Sequence, residues 1–220
     1  MSVDLRLYAL VDPDRSGGHE LGALSRKLVQ GGATLVQLRD KTGSTRRMIE
    51  EARAIKAALA GSFVPVLIND RVDVALAAGA DGVHVGWDDM PVADARRLLG
   101  REAIIGLSIK TRAQIDAAPL DLLDYVCIGG VFETSSKDNK EPPVRPEGFA
   151  ALAAYLRSRA PNMPVGAIAG IDESNAGDVI AAGADGIAVI SALSLAPDPA
   201  QAAAQLRRIV DNGLRIRGAA

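Results

Sequence analysis

A single cysteine, Cys127, in 220 residues excludes an internal disulfide and any metal site built from several thiolates. Two histidines, His19 and His84, leave little material for a zinc centre. Aromatic residues make up 3% of the chain, too few for a platform on which single-stranded nucleic acid stacks. No charge of one sign prevails: 25 Lys and Arg face 27 Asp and Glu, for a net charge of −2. That balance argues against general affinity for nucleic acid or an anionic membrane and leaves room for a local basic pocket. The best candidate for a membrane span, residues 186–196, is too short to cross a bilayer. The amino terminus has no basic region followed by an apolar run, so no secretion signal is expected and the location expected is cytoplasmic. The hydrophobic fraction, 48%, supplies a sizeable core, which must be built from Ala, Val, Ile and Leu because rings are scarce.

Short apolar runs alternate with longer Ala/Leu/Arg segments from end to end. The predicted strands are Leu5–Val11, Thr34–Leu38, Val64–Ile68, Gly82–Val85, Ile104–Ser108, Tyr125–Ile128, Val165–Ile168 and Gly186–Ile190. The predicted helices are Glu20–Gln30, Thr45–Leu59, Val72–Ala78, Val92–Leu99, Gln114–Ala117, Pro146–Arg159, Glu173–Ala182 and Pro199–Leu214. The strands are continuously apolar, the pattern of a parallel sheet buried on both faces. Eight βα units in 220 residues suit a closed (β/α)8 TIM barrel at the short end of its size range, forming a single domain over residues 1–220. An internal repeat agrees: Ala77-Ala-Gly-Ala-Asp-Gly-Val-His-Val85 recurs as Ala181-Ala-Gly-Ala-Asp-Gly-Ile-Ala-Val189, a helix end, a tight turn and a buried strand. The alternative is an open doubly wound sheet. It would carry Gly-x-Gly-x-x-Gly after the first strand, where this chain reads Asp12-Pro-Asp-Arg-Ser-Gly-Gly18.

In a barrel, chemistry belongs at the carboxyl ends of the strands. Polar residues gather there: Gln37, Arg39 and Lys41 after strand two, sharing one parity; Asn69 and Asp70 after strand three; Asp88 and Asp89 after strand four. Ser108 follows on strand five, Thr134-Ser135-Ser136-Lys137 in the long loop after strand six, Gly170 after strand seven, and Ile190-Ser191 after strand eight. Singly, each has a structural reading: Asn69 or Asp70 as a helix N-cap, Asp88 and Asp89 as first-turn acids, Ser191 as the cap of the last helix. His84 reads as a core histidine, Cys127 as a buried inert thiol. Jointly they suggest polyphosphate chemistry. Asp70 and Asp89 form a hard-oxygen pair suited to Mg²⁺, Arg39, Lys41 and Lys137 offset diphosphate charge, and Gly170 with Ser191 offers a second phosphate site that a methyl group at position 170 would block. The loop after strand six reads as a lid or, equally, as a solvated Ser/Thr loop.

In this order the residues resemble the thiamine-phosphate synthase (thiamine-phosphate pyrophosphorylase) family. The resemblance runs from Leu7 to Leu195, through Gln37-Leu-Arg-Asp-Lys41, Leu67-Ile-Asn-Asp-Arg71, Gly82-Val-His-Val-Gly86 with Asp88-Asp89, Gly106-Leu-Ser108, Val131-Phe-Glu-Thr-Ser-Ser-Lys137, Ala167-Ile-Ala-Gly-Ile171 and Val189-Ile-Ser191. It implies a transferase that joins hydroxymethylpyrimidine diphosphate to hydroxyethylthiazole phosphate, with Mg²⁺ as cofactor. By the resemblance, Gln37, Arg39, Lys41, Asn69, Ser108 and Lys137 contact the pyrimidine diphosphate, and Lys137, Ser108 and Arg39 act in catalysis. Asp70 and Asp89 hold the metal, and Thr134, Ser135, Ser136, Gly170, Ile190 and Ser191 hold the thiazole phosphate. It implies small-molecule partners only, neither nucleic acid nor membrane, with a homo-oligomer left open. The chain departs from the family pattern at Trp87 (often Gln), Lys110 (often His), Gly130 (often Pro), Ser136 (often Thr) and Ala169 (often Gly). Rival readings are a thiazole tautomerase-like isomerase, a phosphosugar isomerase and a non-catalytic sensor of phosphorylated ligands; the metal acids and Lys137 favour the synthase over the isomerases.

Overall fold

The computed structural model describes residues 3–134 and 142–219. Eight parallel strands close in sequence order into a barrel: β1 (Leu7–Val11), β2 (Leu35–Leu38), β3 (Val66–Asn69), β4 (Gly82–Val85), β5 (Ile104–Ile109), β6 (Tyr125–Ile128), β7 (Val165–Ile168) and β8 (Gly186–Val189). Closure is made by β1 against β8, where Leu7 pairs Ile187 and Ala9 pairs Val189. Outside lie α1 (Leu21–Gln30), α2 (Thr45–Ala58), α3 (Val72–Ala78), α4 (Val92–Leu99), α5 (Arg112–Ala117), α6 (Arg145–Arg159), α7 (Ala176–Ala181), α8 (Ser191–Ser194) and α9 (Pro199–Gly218). None of the described helices is long and apolar enough to cross a membrane.

The strands read as unbroken apolar runs because their two faces enter two different cores. On β1, Leu7, Ala9 and Val11 pack in the layer between barrel and helices, while Tyr8 and Leu10 point into the barrel with Leu35, Leu67, Tyr125 and Cys127. Each fully buried Leu or Ile in the outer layer contributes about 1.5–3 kcal/mol of transfer free energy. On α1, Leu21, Leu24 and Leu28 supply one apolar stripe at helical spacing.

The repeated Asp has a structural task at the amino ends of the strands. Asp81 and Asp185 each accept the N–H of the preceding strand, from Val66 at 2.8 Å and Val165 at 2.9 Å. Asp124 does the same for Ile105 at 2.8 Å. Each is matched by cations: Lys56 for Asp81, Arg96 for Asp124, Arg157 and Arg217 for Asp185. These carboxylates tie odd strands to even ones at the end remote from the cavity.

Several boundaries differ from expectation for local reasons. Glu20 is the N-cap of α1 rather than its first residue, its carboxylate accepting the N–H groups of Gly22 and Ala23. α7 starts at Ala176, not Glu173, because Asp172 accepts the Ser174 N–H at 2.8 Å and Asn175 accepts the Asp172 N–H at 3.0 Å, local bonds that compete with a helix. Ser191 opens the one-turn α8, which the sequence pattern did not indicate, and Asp198 caps α9 instead.

Candidate active site

The carboxyl ends of the strands surround a cavity of about 520 Å³. Gln37, Arg39 and Lys41 all line it, as their common parity requires. Asp40, of opposite parity, is buried and accepts the N–H groups of Thr42 at 2.9 Å and Gly43 at 2.7 Å, which shapes the turn after β2. Arg39 pairs with Asp12 at the end of β1, a carboxylate buried to 2% exposure that sequence reasoning did not single out. Lys41 pairs with Asp70.

Asn69 ends β3, and Asp70 follows in the left-handed region at φ 60°, its N–H donating to the His84 carbonyl at 2.8 Å. The N-cap of α3 is Arg71 and no side chain caps that helix, so neither Asn69 nor Asp70 has the capping role considered for it. Both line the cavity. Asp88 and Asp89 likewise precede α4 by several residues, and the acid of its first turn is Asp94. Asp89 instead turns back to accept the Gly86 N–H at 2.7 Å.

This brings Asp89 beside Asp70. Burial first, and then the Asp70 carboxylate next to it, push the Asp89 carboxyl above the usual range, while the Gly86 N–H and Lys41 act the other way. A cation beside Asp89 would offset both effects that disfavour its ionised form. Among the described residues, no group of three or more His, Cys, Asp or Glu side chains gathers. An ion held here would therefore take one or two protein carboxylates and complete its shell from water and substrate oxygens, the habit of Mg²⁺. The residues fit that ion.

Ser108, on β5, has its Oγ 2.8 Å from His84 Nε2. His84 Nδ1 lies 2.9 Å from the Tyr125 hydroxyl, which is 2.9 Å from the Tyr8 hydroxyl, and Gln37 Nε2 donates to Tyr8. His84 is thus a buried histidine, as expected, but one that also lines the cavity, beside the Ser108 hydroxyl. The tyrosines escaped notice because each sits inside an apolar run; their inward parity was the available signal. Burial pushes both phenols up, and pushes the Cys127 thiol up to about 12. Lys110, a departure from the family pattern, also lines the cavity.

On the far side, the chain leaving β6 is tied to β7: the Val131 N–H donates to Ile168 at 3.2 Å and the Phe132 N–H to Ala169 at 3.1 Å. Thr134, Gly170, Ile190 and Ser191 line this part of the same cavity. Ser135, Ser136 and Lys137 lie outside the described residues. A Cβ at Gly170 would stand 2.3 Å from the Glu133 carbonyl oxygen, so this glycine is required by the base of the β6 loop before any phosphate arrives. Ala169 sits at φ 91°, a conformation that favours the glycine the family often has there. Gly130, where the family often has Pro, sits at φ 71°, which Pro cannot adopt.

A family model described as thiamine monophosphate synthase matches residues 7–193. A thiamine-phosphate synthase of Agrobacterium fabrum is 55% identical over 215 residues, covering 98% of each chain. One of Chloroflexus aurantiacus is 45% identical and covers 94% of each. The solved structure of a thiamine phosphate pyrophosphorylase from Pyrococcus furiosus superposes with a TM-score of 0.83 at 34% identity, covering 96% of this chain and 98% of that one. Barrel, cavity and similarity over nearly the whole length agree: the chain belongs to the thiamine monophosphate synthase family.

Proposed function

We propose that the cavity transfers the hydroxymethylpyrimidine group from its diphosphate to the ring nitrogen of hydroxyethylthiazole phosphate, releasing diphosphate. The observation that carries this reading is the convergence of the Asp70–Asp89 pair with Arg39, Lys41 and Lys110 around one cavity. An aminopyrimidine is electron-rich, so its exocyclic carbon can shed diphosphate with carbocation character. Held by Asp70 and Asp89, Mg²⁺ would supply Lewis-acid stabilisation of the charge growing on the leaving group. Arg39, kept in place by Asp12, and Lys41 offset that charge from the β2 end, with Lys137 expected to join from the loop after β6. Ser108 and Asn69 orient the pyrimidine diphosphate beside them.

The thiazole nitrogen is already nucleophilic, so the protein need only hold it in line. Thr134, Gly170, Ile190 and Ser191, with Ser135 and Ser136, form the proposed thiazole phosphate side. No nucleophilic side chain is needed on this route, and the β6 loop would exclude water that competes for the cation. Incubating the protein with both substrates and Mg²⁺, and reading thiamine phosphate by fluorescence after oxidation, tests the proposal. Absence of that product would overturn it.

A further inference from the structure

The chain Gln37–Tyr8–Tyr125–His84–Ser108 crosses the barrel beneath the cavity, and the steps of that reaction leave its inner members without a task. Three of its four contacts measure 2.8–2.9 Å, and both phenols are almost wholly buried. The His84 ring stacks on Tyr125 at 5.5 Å between centroids, and Gly106 admits the Tyr125 ring, because a Cβ there would lie 2.1 Å from Tyr125 Cζ. The geometry is therefore fixed by packing, and what remains to be assigned is the placing of the protons.

We propose that this is one hydrogen-bond chain of single polarity, its protons directed from Gln37 to Ser108, and that Tyr8, Tyr125 and His84 are positioning residues that make Ser108 a donor into the cavity. The argument starts at Tyr8, whose hydroxyl has two partners, the Gln37 amide nitrogen and Tyr125. An amide nitrogen only donates, so Tyr8 accepts from it and passes its own proton to Tyr125. The 2.9 Å contact between the two phenols, drawn with Tyr125 as donor, serves equally well with Tyr8 as donor, since each hydroxyl both donates and accepts. With Tyr125 donating, the Tyr8 proton would be stranded inside the barrel as an unpaired buried polar group, so we reverse it. Having accepted from Tyr8, Tyr125 donates to His84 Nδ1. A neutral imidazole carries one proton, which then sits on Nε2 and faces Ser108. Ser108 accepts it, leaving its own proton to turn into the cavity.

The opposite polarity requires the Gln37 amide to be turned. Gln37 Oε1 is buried without a partner, and turning the amide would put an NH₂ there instead, the rarer kind of buried orphan. The cavity end points the same way: beside cationic Arg39 and Lys41, where an anion is to sit, a hydroxyl serves as a donor. This last step rests on the proposed diphosphate reading; the polarity of the chain does not.

The test is ¹⁵N NMR of the full-length protein labelled at histidine, with His84→Gln separating the His84 signals from those of His19. The expected result is a neutral His84 ring with its proton on Nε2 and a bare Nδ1; a proton on Nδ1 would overturn the polarity. Tyr125→Phe removes the donor to Nδ1, so both tautomers should appear and kcat should fall about tenfold, with KM for thiazole phosphate unchanged. Tyr8→Phe leaves Tyr125 able to donate to Nδ1 and should keep the wild-type tautomer, a distinction that loss of packing would not produce. If Tyr125→Phe fails to fold, the wild-type and Tyr8→Phe spectra still decide. Unchanged turnover in a folded Tyr125→Phe protein would refute the donor role of Ser108. The expected spectra in a wild-type protein that makes no thiamine phosphate would refute the proposed reaction and leave the chain standing.

Discussion

Gly170→Ala separates two reasons for a glycine at the mouth of the barrel. The backbone there has φ 66°, and an added Cβ would lie 2.3 Å from the Glu133 carbonyl oxygen and 2.7 Å from Phe132 Cβ. Gly79, the C-cap of α3, has the same φ of 66° with nothing within 4 Å of an added Cβ. Gly79→Ala therefore measures the left-handed backbone cost alone, about 1 kcal/mol. Gly170→Ala adds a clash with backbone that cannot rotate aside. Ordinary contact is about 3.4 Å, so Glu133 must move by roughly 1 Å, and overpacking of that kind costs about 1–3 kcal/mol. Urea denaturation of both variants should place Gly170→Ala that much below Gly79→Ala. Because Thr134 follows Glu133 and lines the cavity, the shift should also lower turnover by about a hundredfold, the usual penalty for misplacing a contact by an ångström. If Gly170→Ala is no less stable than Gly79→Ala and only raises KM for thiazole phosphate, the clash argument is refuted and direct blocking of phosphate takes its place.

Chelation should abolish turnover and added Mg²⁺ restore it. Asp89→Asn should weaken Mg²⁺ binding and slow turnover far more than Asp88→Asn, and equal effects in a metal titration would refute the assignment of Asp89. Ser191→Ala should raise KM for thiazole phosphate alone, whereas Lys137→Ala should lower kcat, each by about ten- to a hundredfold for one lost charged hydrogen bond. A steady-state matrix of the two variants against the two substrates checks this, and a shared shift in one parameter for one substrate would dissolve the two-ended site. Cys127, buried with its thiol pushed up to about 12, should resist a thiol reagent in the folded protein and react fully in denaturant; rapid native labelling would contradict its burial.

The alternation of apolar strands with helical segments was enough to specify a parallel sheet, because a strand covered on both faces must be apolar throughout. That it closes as a barrel was indicated by the eight units, the internal repeat and the missing Gly-x-Gly-x-x-Gly. Parity did the same for Gln37, Arg39 and Lys41: a strand has period two, so three residues two apart reach one side whatever surrounds them. The repeated Asp-Gly was visible too, although its task, tying Asp81 and Asp185 to the neighbouring strands, was not.

Only the tertiary structure decided which inward residues meet. Tyr8 and Tyr125 are 117 residues apart in the chain and hydrogen-bonded in the barrel. Asp12 holds Arg39, and Asp70 turns a left-handed corner to stand beside Asp89. Local spacing tells whether a side chain points in or out of a strand. Its partner across the interior is set by the closure of β8 on β1 and by the register of all eight strands together, and no stretch of sequence carries that information alone.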